Sequence, residues 1–442
     1  MSSETINRRY IPDNGRPLDK TGVDNYVNIH NMDYTLFLVV LILTVIGIVM
    51  VFSSSYTTSA ASPGLNNDPL FFVKRNAGVA VGGLAIMCML TFIGYIHIRR
   101  ATPLFYITTL GLLVIVMVFG ITTRGATRWI PLPIPGVNQF QPSELAKPAL
   151  ILMLAYLFNK NPDRLKYWPG LIFCLAVVGI MAGMALYGSM SAAIILVIIG
   201  FSMIFIASRH IMRFIFLGVA GSGVIVSYLI YLAYFSTGSD VWRGVRFAAW
   251  RDPSSVSADA RRQIVQSLGT VASGGFFGLG IGQSRQKFFL PEQYNDFIFA
   301  IICEELGLIG AGFVMLFFGI LIWRGIRIAL RAPDTFSSMA AAGIVISIAS
   351  QVLINIAVVT NTIPVTGVTL PFISYGGTSL LISMAMMGIL LNISRYSKSY
   401  APDLTDSENA AEGAKQYYEP TPPERRNSRP PRNSGSNRGS RR

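Results

Sequence analysis

In the stretch PEQYNDFIFAIICEELGLIG, residues 291–310, three of the four carboxylates border or enter a long apolar run: Asp296 at its edge, Glu304 and Glu305 inside it. A carboxylate at a membrane surface can take a proton from a hydroxyl. A charge in a bilayer core costs a few kcal/mol even on lenient scales, so it is kept only where it is paired, faces water or performs a task. Asp296 precedes FIFAII, and a helix N-cap is its plain structural alternative. On a helix, Glu304 lies about 80° around from Asp296 and Glu305 about 180°, so at most one glutamate shares the Asp296 face. Both glutamates are expected to be structural, paired with buried arginine or backbone.

Cations gather nearby. The segment 237–295, 59 residues long, holds Trp242, Trp250, Arg243, Arg246, Arg251, Arg261, Arg262, Arg285 and Lys287. It also holds SGGFFGLGIG at 273–282, followed by Gln283. Arginine and lysine hold phosphates by charge-assisted hydrogen bonds, and glycines let backbone N–H groups approach an anion. Gln283, Arg285 and Lys287 are therefore candidate contacts to an anionic ligand. For the glycines, packing of a short amphipathic segment on the membrane surface is an equal alternative. In RGATRWIPLPIPGVNQFQPSELAK, 124–147, Arg128 and Trp129 form an interfacial pair that can hold a ligand or serve as a membrane-belt anchor. Glu144, in the first turn after Pro142, suits a helix N-terminus, whereas Lys147 works against the dipole. Lys147 lies three residues from Glu144 on one face. Either the two form a structural pair, or they fix a cation at an outer mouth for an anionic ligand, the preferred reading. NTIPVTGVTLPFISYGGTS, 361–379, reads as a rigid re-entrant turn. Irregular backbone survives at membrane depth only around protein or a water-filled cavity, so Ser374 and Gly376 join the candidates.

These residues must be positioned by membrane helices. Of the 442 residues, 52% are hydrophobic and 13% charged, against about 25% charged in soluble domains. Apolar runs near the ~20 residues needed to span a bilayer lie at 34–54, 75–97, 102–122, 144–159, 168–187, 189–208, 212–236, 296–323, 335–359 and 375–395. The expected fold is an all-α polytopic membrane protein of ten spans, with its least certain division at Gly188. Arg99, Arg100, Lys160, Arg164, Lys166, Arg209, Arg213, Arg324, Arg327 and Arg331 fall on one side with both termini. Short basic loops stay cytoplasmic, which places 55–74, 123–143, 237–295 and 360–374 outside. The division is a tail at 1–32, a membrane domain at 33–396 with its large outer loop between the seventh and eighth spans, and a basic tail at 397–442. Without an apolar h-region near the N-terminus, the first span serves as the targeting signal. The C-terminal tail is expected to be disordered and to attract anionic lipid, with partner docking as an alternative role. The net charge of +14 sits largely there and is no nucleic-acid signal. Cys88, Cys174 and Cys303 lack the spacing of a disulfide framework or metal site.

Three segments together resemble the SEDS family (shape, elongation, division and sporulation proteins; FtsW, RodA and SpoVE). They are RWI…QPSELAK at 128–147, GLGIGQSRQKFFLPEQYNDFIFAIICEELGLIG at 278–310 and PVTGVTLPFISYGGTS at 364–379. Weaker matches are SSS at 53–55 and FFVKRN at 71–76, and the resemblance covers about 30–396. It implies a peptidoglycan glycosyltransferase that polymerises lipid II outside the cytoplasmic membrane, with a class B penicillin-binding transpeptidase and the division or elongation machinery as partners. The family's catalytic aspartate, in PE-x-x-x-D, lands on Asp296, and its PSELAK acid and lysine land on Glu144 and Lys147. One departure matters: where many members carry a QPDLGTA-like motif, this chain reads Tyr187-Gly188-Ser189-Met190-Ser191-Ala192-Ala193, without the acid or the proline. A single base without a nucleophilic partner suggests one inverting displacement. No protein metal site is expected, although a diphosphate could recruit Mg²⁺ or Mn²⁺ without a protein cage. The alternatives are a lipid II flippase, which buried glutamates and broken helices would suit, and a non-catalytic scaffold of the division or elongation machinery.

Overall fold

The computed structural model describes residues 8–9, 27–28, 32–60, 68–123, 126–134, 137–208, 212–214, 218, 227, 241–252, 254, 256, 258–288 and 293–396. Most of the tail at 1–32, all of that at 397–442 and most of the expected seventh span lie outside these residues.

Helices dominate: α1 (Tyr34–Ala60), α2 (Phe71–Phe92), α3 (Tyr95–Phe119), α4 (Pro142–Lys160), α5 (Trp168–Gly188), α6 (Met190–Ala207), α7 (Val241–Arg251), α8 (Ala258–Ser273), α9 (Ile298–Leu330), α10 (Thr335–Val359) and α11 (Gly377–Arg395). Among the described residues, eight are long and apolar enough to cross a membrane: α1, α2, α3, α5, α6, α9, α10 and α11. α4 has spanning length but carries Glu144, Lys147 and two prolines. The protein is thus a mostly helical, multi-pass membrane protein, and the ten-span count rests on α4 and on 212–236. The division at Gly188 is real: α5 ends there, and Ser189 caps α6 by accepting from the Ala192 N–H at 3.3 Å.

The all-helical expectation meets two exceptions, the smaller being a two-residue antiparallel pairing of Arg8–Arg9 with Val27–Asn28. Between α3 and α4 runs an antiparallel meander of β1 (Ile121–Thr123), β2 (Ala126–Ile134) and β3 (Val137–Phe140). β2 is bound to the bundle where Arg128 Nε donates to the Gly188 carbonyl at the end of α5. β3 is bound where Thr378 Oγ1 on α11 donates to the Gln139 carbonyl at 3.2 Å.

Ionic and polar clips gather the opposite helix ends. Arg324 reaches Asp33 at 2.7 Å, and Asp33 Oδ1 accepts from the Leu36 N–H at the start of α1. Arg99 lies 3.4 Å from Asp334, which caps α10. Asn392 Nδ2 points at the Leu90, Thr91 and Ile93 carbonyls that α2 leaves unpaired at its C-terminus. Asn392→Leu keeps the volume and strands those carbonyls. We expect it to lower stability by about 1–3 kcal/mol, read as an earlier thermal transition in detergent.

The turn between α10 and α11 re-enters the bundle. A Cβ on Gly47, midway along α1, would stand 2.6 Å from the Phe372 carbonyl oxygen. Only a glycine lets the turn approach that closely. Phe372 itself is buried and adopts a left-handed φ of 65°, a conformation a bulky residue holds only when its surroundings enforce it. Outside the turn, Trp250 Nε1 on α7 donates to the Asn361 carbonyl at 3.0 Å and Ser267 Oγ on α8 to the Val359 carbonyl at 2.9 Å. Helices α7 and α8 are thereby fastened to the end of α10 and the turn that follows it.

Candidate active site

Asp296 lies outside helix α9, whose N-cap is Phe297 and receives no side-chain hydrogen bond. The cap alternative therefore gives way. What holds Asp296 is its backbone. Three successive carbonyls, of Tyr294, Asn295 and Asp296, accept from the Tyr375 N–H (2.8 Å), Ser374 Oγ (2.7 Å) and Asn355 Nδ2 (2.9 Å). Ser374 is locked in turn by the Leu370 N–H, which donates to its Oγ at 2.8 Å. Asn355 Nδ2 also donates to the Val368 carbonyl at 2.7 Å. The carboxylate sits against Gly367, where φ is +78° and a Cβ would come within 3.3 Å of Asp296 Oδ2. A side chain there would be strained and would crowd the acid. The Asp296 side chain is only partly buried. Beside it, Phe72, Tyr294 and Tyr375 pack with ring centroids 4.8–5.7 Å apart. The Arg75 guanidinium lies 5.9 Å from the Tyr375 ring centroid, within cation–π range. Burial pushes the Tyr375 hydroxyl up from the ordinary tyrosine value, so it stays protonated.

The α4 cation is not where an open mouth would need it. Lys147 is 1% exposed, and its Nζ lies 2.7 Å from both Glu144 Oε2 and Gln351 Oε1. Gln351 is fixed by donating to the Ser347 carbonyl at 3.1 Å. Lys147 is thus a buried clip between α4 and α10 that orients Glu144, and a direct grip on a ligand is corrected to that role. Gln351 and Asn355 stand one helical turn apart on α10, about 6 Å along its axis. They link the Glu144–Lys147 pair to the Asp296 segment. Lys147→Met should cost about 3 kcal/mol, because it leaves Glu144 and Gln351 unpaired in a largely buried place. A purely ligand-binding lysine would leave the melting temperature unchanged.

Glu304 and Glu305 are fully buried, and of the two expected kinds of partner, arginine or backbone, backbone N–H groups meet them, together with serine hydroxyls. Glu304 accepts from Ser284 Oγ and from the Arg285 (3.1 Å) and Gln286 (3.4 Å) N–H groups. Glu305 accepts from Ser53 Oγ at 2.6 Å and from the Ser284 N–H at 3.4 Å. The glycine-rich stretch lies along the same part of α9. The Leu279 and Gly280 N–H groups donate to the Glu304 and Glu305 carbonyls, each at 2.9 Å. The Leu308 and Ile309 N–H groups donate to the Gly275 (2.9 Å) and Phe276 (3.2 Å) carbonyls. Gly307, with φ 68°, breaks α9 at this point. The kink frees backbone groups, and the glycine stretch satisfies them. Three of the N–H groups that an anion cradle would use, those of Gly278, Leu279 and Gly280, are already bonded, which favours packing, here against α9, over an anion cradle.

The FtsW/RodA/SpoVE family of cell cycle proteins matches residues 33–399. That decides the family. This chain belongs to the FtsW/RodA/SpoVE family. The stage V sporulation protein E of Bacillus subtilis is 39% identical over 371 residues, covering 83% of this chain and 98% of that protein. A probable peptidoglycan glycosyltransferase FtsW from Trichlorobacter lovleyi is 40% identical, covering 82% of this chain and 93% of its own length. A chain of a peptidoglycan synthase complex that coordinates polymerization and crosslinking has the same fold. It superposes with a TM-score of 0.68 at 24% identity, covering 83% of this chain and 99% of that one. The Thermus thermophilus rod shape determining protein RodA gives 0.59, also at 24% identity, over 83% of this chain and 98% of its own.

The structure brings the Asp296 segment and the 361–376 turn, with Ser374 and Gly376, together; Glu144 at the start of α4 is connected to them through Lys147 and the Gln351–Asn355 stretch of α10. Ser191, in the stretch that departs from the QPDLGTA-like pattern, donates to the Thr366 carbonyl next to Gly367, so that stretch borders the site without an acid. Arg128 lines a cleft with Pro142, Ser143 and Gly188, on the flank of Glu144. Trp129 pairs with Ile121 in the meander. Gln283 and Arg285 are exposed. Lys287 is turned inward, with Nζ 2.7 Å from the Gly282 carbonyl oxygen and 3.4 Å from that of Ser53; its expected contact to a ligand is corrected to a tie to α1. Gln293 makes a matching tie, donating to the Ser54 carbonyl at 2.9 Å. Sequence reasoning missed Gln351, Asn355 and Gly367. Among the described residues, no three His, Cys, Asp or Glu side chains gather as a metal cage.

Proposed function

We propose that this chain is a peptidoglycan glycosyltransferase that polymerises lipid II at the outer face of the cytoplasmic membrane, with Asp296 as general base. Relatives of 35–40% identity that bear the name FtsW peptidoglycan glycosyltransferase support the activity. The observation that carries the role of Asp296 is the clamp on three consecutive carbonyls, which fixes the backbone while leaving the carboxylate partly open. Such an arrangement presents a base in one orientation. The acceptor sugar hydroxyl gives its proton to Asp296 as its oxygen attacks the anomeric carbon of the donor. The bond from that carbon to the lipid diphosphate breaks with inversion, and the diphosphate leaves with the electron pair. Arg285, which is exposed, and Arg128, in the cleft with Pro142 and Ser143, would offset the diphosphate charge. Glu144, held in place by Lys147, would help to orient the substrate. Ten spans with both termini cytoplasmic and a class B penicillin-binding protein beside the chain complete the proposal.

The test uses the full chain in nanodiscs with its transpeptidase partner and fluorescent lipid-linked disaccharide-peptide. A ladder of glycan on a gel is expected. Transfer of the labelled lipid between leaflets of proteoliposomes, with no polymer formed, would favour the flippase reading instead.

A further inference from the structure

The glycine-rich stretch carries an apolar surface that the reaction does not use. Phe276 is 68% exposed, Phe277 84% and Ile281 58%. Leucines and phenylalanines this open, one after another on a turn, are unusual in contact with water. Their backbone is continuous with a lipid-facing wall. The Leu308 and Ile309 N–H groups donate to Gly275 and Phe276, and Leu308, Ile309, Phe313 and Leu316 form the exposed side of α9, a membrane span. Upstream, Val265 and Leu268 extend the surface along α8, an amphipathic helix whose opposite face, Ile264, Ser267 and Thr270, is buried. Basic residues rim the patch: Arg261 and Arg262 at the start of α8 and Arg285 after the turn are exposed. Apolar tips with arginines behind them match acyl chains below anionic headgroups.

The geometry points to a re-entrant wedge: residues 274–282 insert among the acyl chains of the lipid leaflet, with Phe276, Phe277 and Ile281 as its tip. The polar groups of the turn's backbone are the usual obstacle to such insertion. Here the kinked helix takes up four of them, the Leu279 and Gly280 N–H groups and the Gly275 and Phe276 carbonyls, and Glu304 and Glu305 bind the returning chain at Ser284, Arg285 and Gln286. The turn can therefore enter lipid without a strand or helix of its own. The occupant of this surface is the bilayer itself.

Spin labelling tests this in the full-length chain. Cys88, exposed on α2, is replaced by alanine, while Cys174 and Cys303 are buried. A nitroxide is then placed at Phe277→Cys, at Leu308→Cys as the lipid reference, and at Lys74→Cys as the aqueous one. In vesicles of phosphatidylcholine and phosphatidylglycerol, the label at 277 should meet oxygen more than a water-soluble nickel chelate, at a depth of about 5–10 Å below the headgroup boundary. Nickel access equal to that at Lys74→Cys would overturn the wedge. So would exclusion of both reagents, which means protein covers the patch. Should Phe277→Cys not fold, Ile281→Cys gives the same reading.

Discussion

Gly307→Ala is expected to lower the stability of the membrane domain by about 2–5 kcal/mol, the sum of a left-handed penalty and an overpacking term. At φ 68° the backbone is in a region that alanine pays to enter. The added Cβ would stand 2.3 Å from the Gly278 N and 2.5 Å from the Phe276 carbonyl oxygen. Both are backbone atoms, so no rotamer change relieves the clash. The return chain must move, and with it the N–H groups on Glu304 and the loop that runs on toward Asp296. Gly278→Ala faces the mirror problem, with a Cβ 2.3 Å from the Glu305 carbonyl oxygen at φ 79°. Gly312→Ala, with nothing within 4 Å of the new atom, is the control and should be neutral or slightly stabilising. Melting in detergent distinguishes them; equal transitions for Gly307→Ala and Gly312→Ala would show that the kink carries no strain.

The membrane helices were legible because apolar length is a property of the chain read in one dimension. The meander at 121–140 was not: β2 contains Pro131 and Pro133, which argue against a strand, and its pairing depends on neighbours beyond any local pattern. The burial of Glu304 and Glu305 and a backbone partner could be read, but not which residues donate, since those come from a chain that folds back through four glycines with positive φ. For Lys147 the spacing to Glu144 was readable and the burial was not, because Gln351 arrives from 204 positions away. One signal was present and overlooked. Ser347, Gln351 and Asn355 recur every four residues within an otherwise apolar span, a polar stripe that marks an interior face. That stripe is the seam joining the two halves of the site.

Asp296→Asn should reduce glycan polymerisation by about 10²–10⁴-fold, the usual share of a positioned general base. Asparagine keeps the shape of the side chain and every backbone bond to Tyr375, Ser374 and Asn355, so the fold and the clamp should persist. What it removes is the capacity to take a proton from the acceptor. Asn355→Leu, which releases the Asp296 carbonyl while leaving its carboxylate, should fall between the two. The direct measurement is lipid II binding and polymer formation by Asp296→Asn in the same nanodisc preparation, against the unaltered chain. Unchanged binding with polymer lost is the predicted result; polymer formed at the unaltered rate would contradict the assignment of the base.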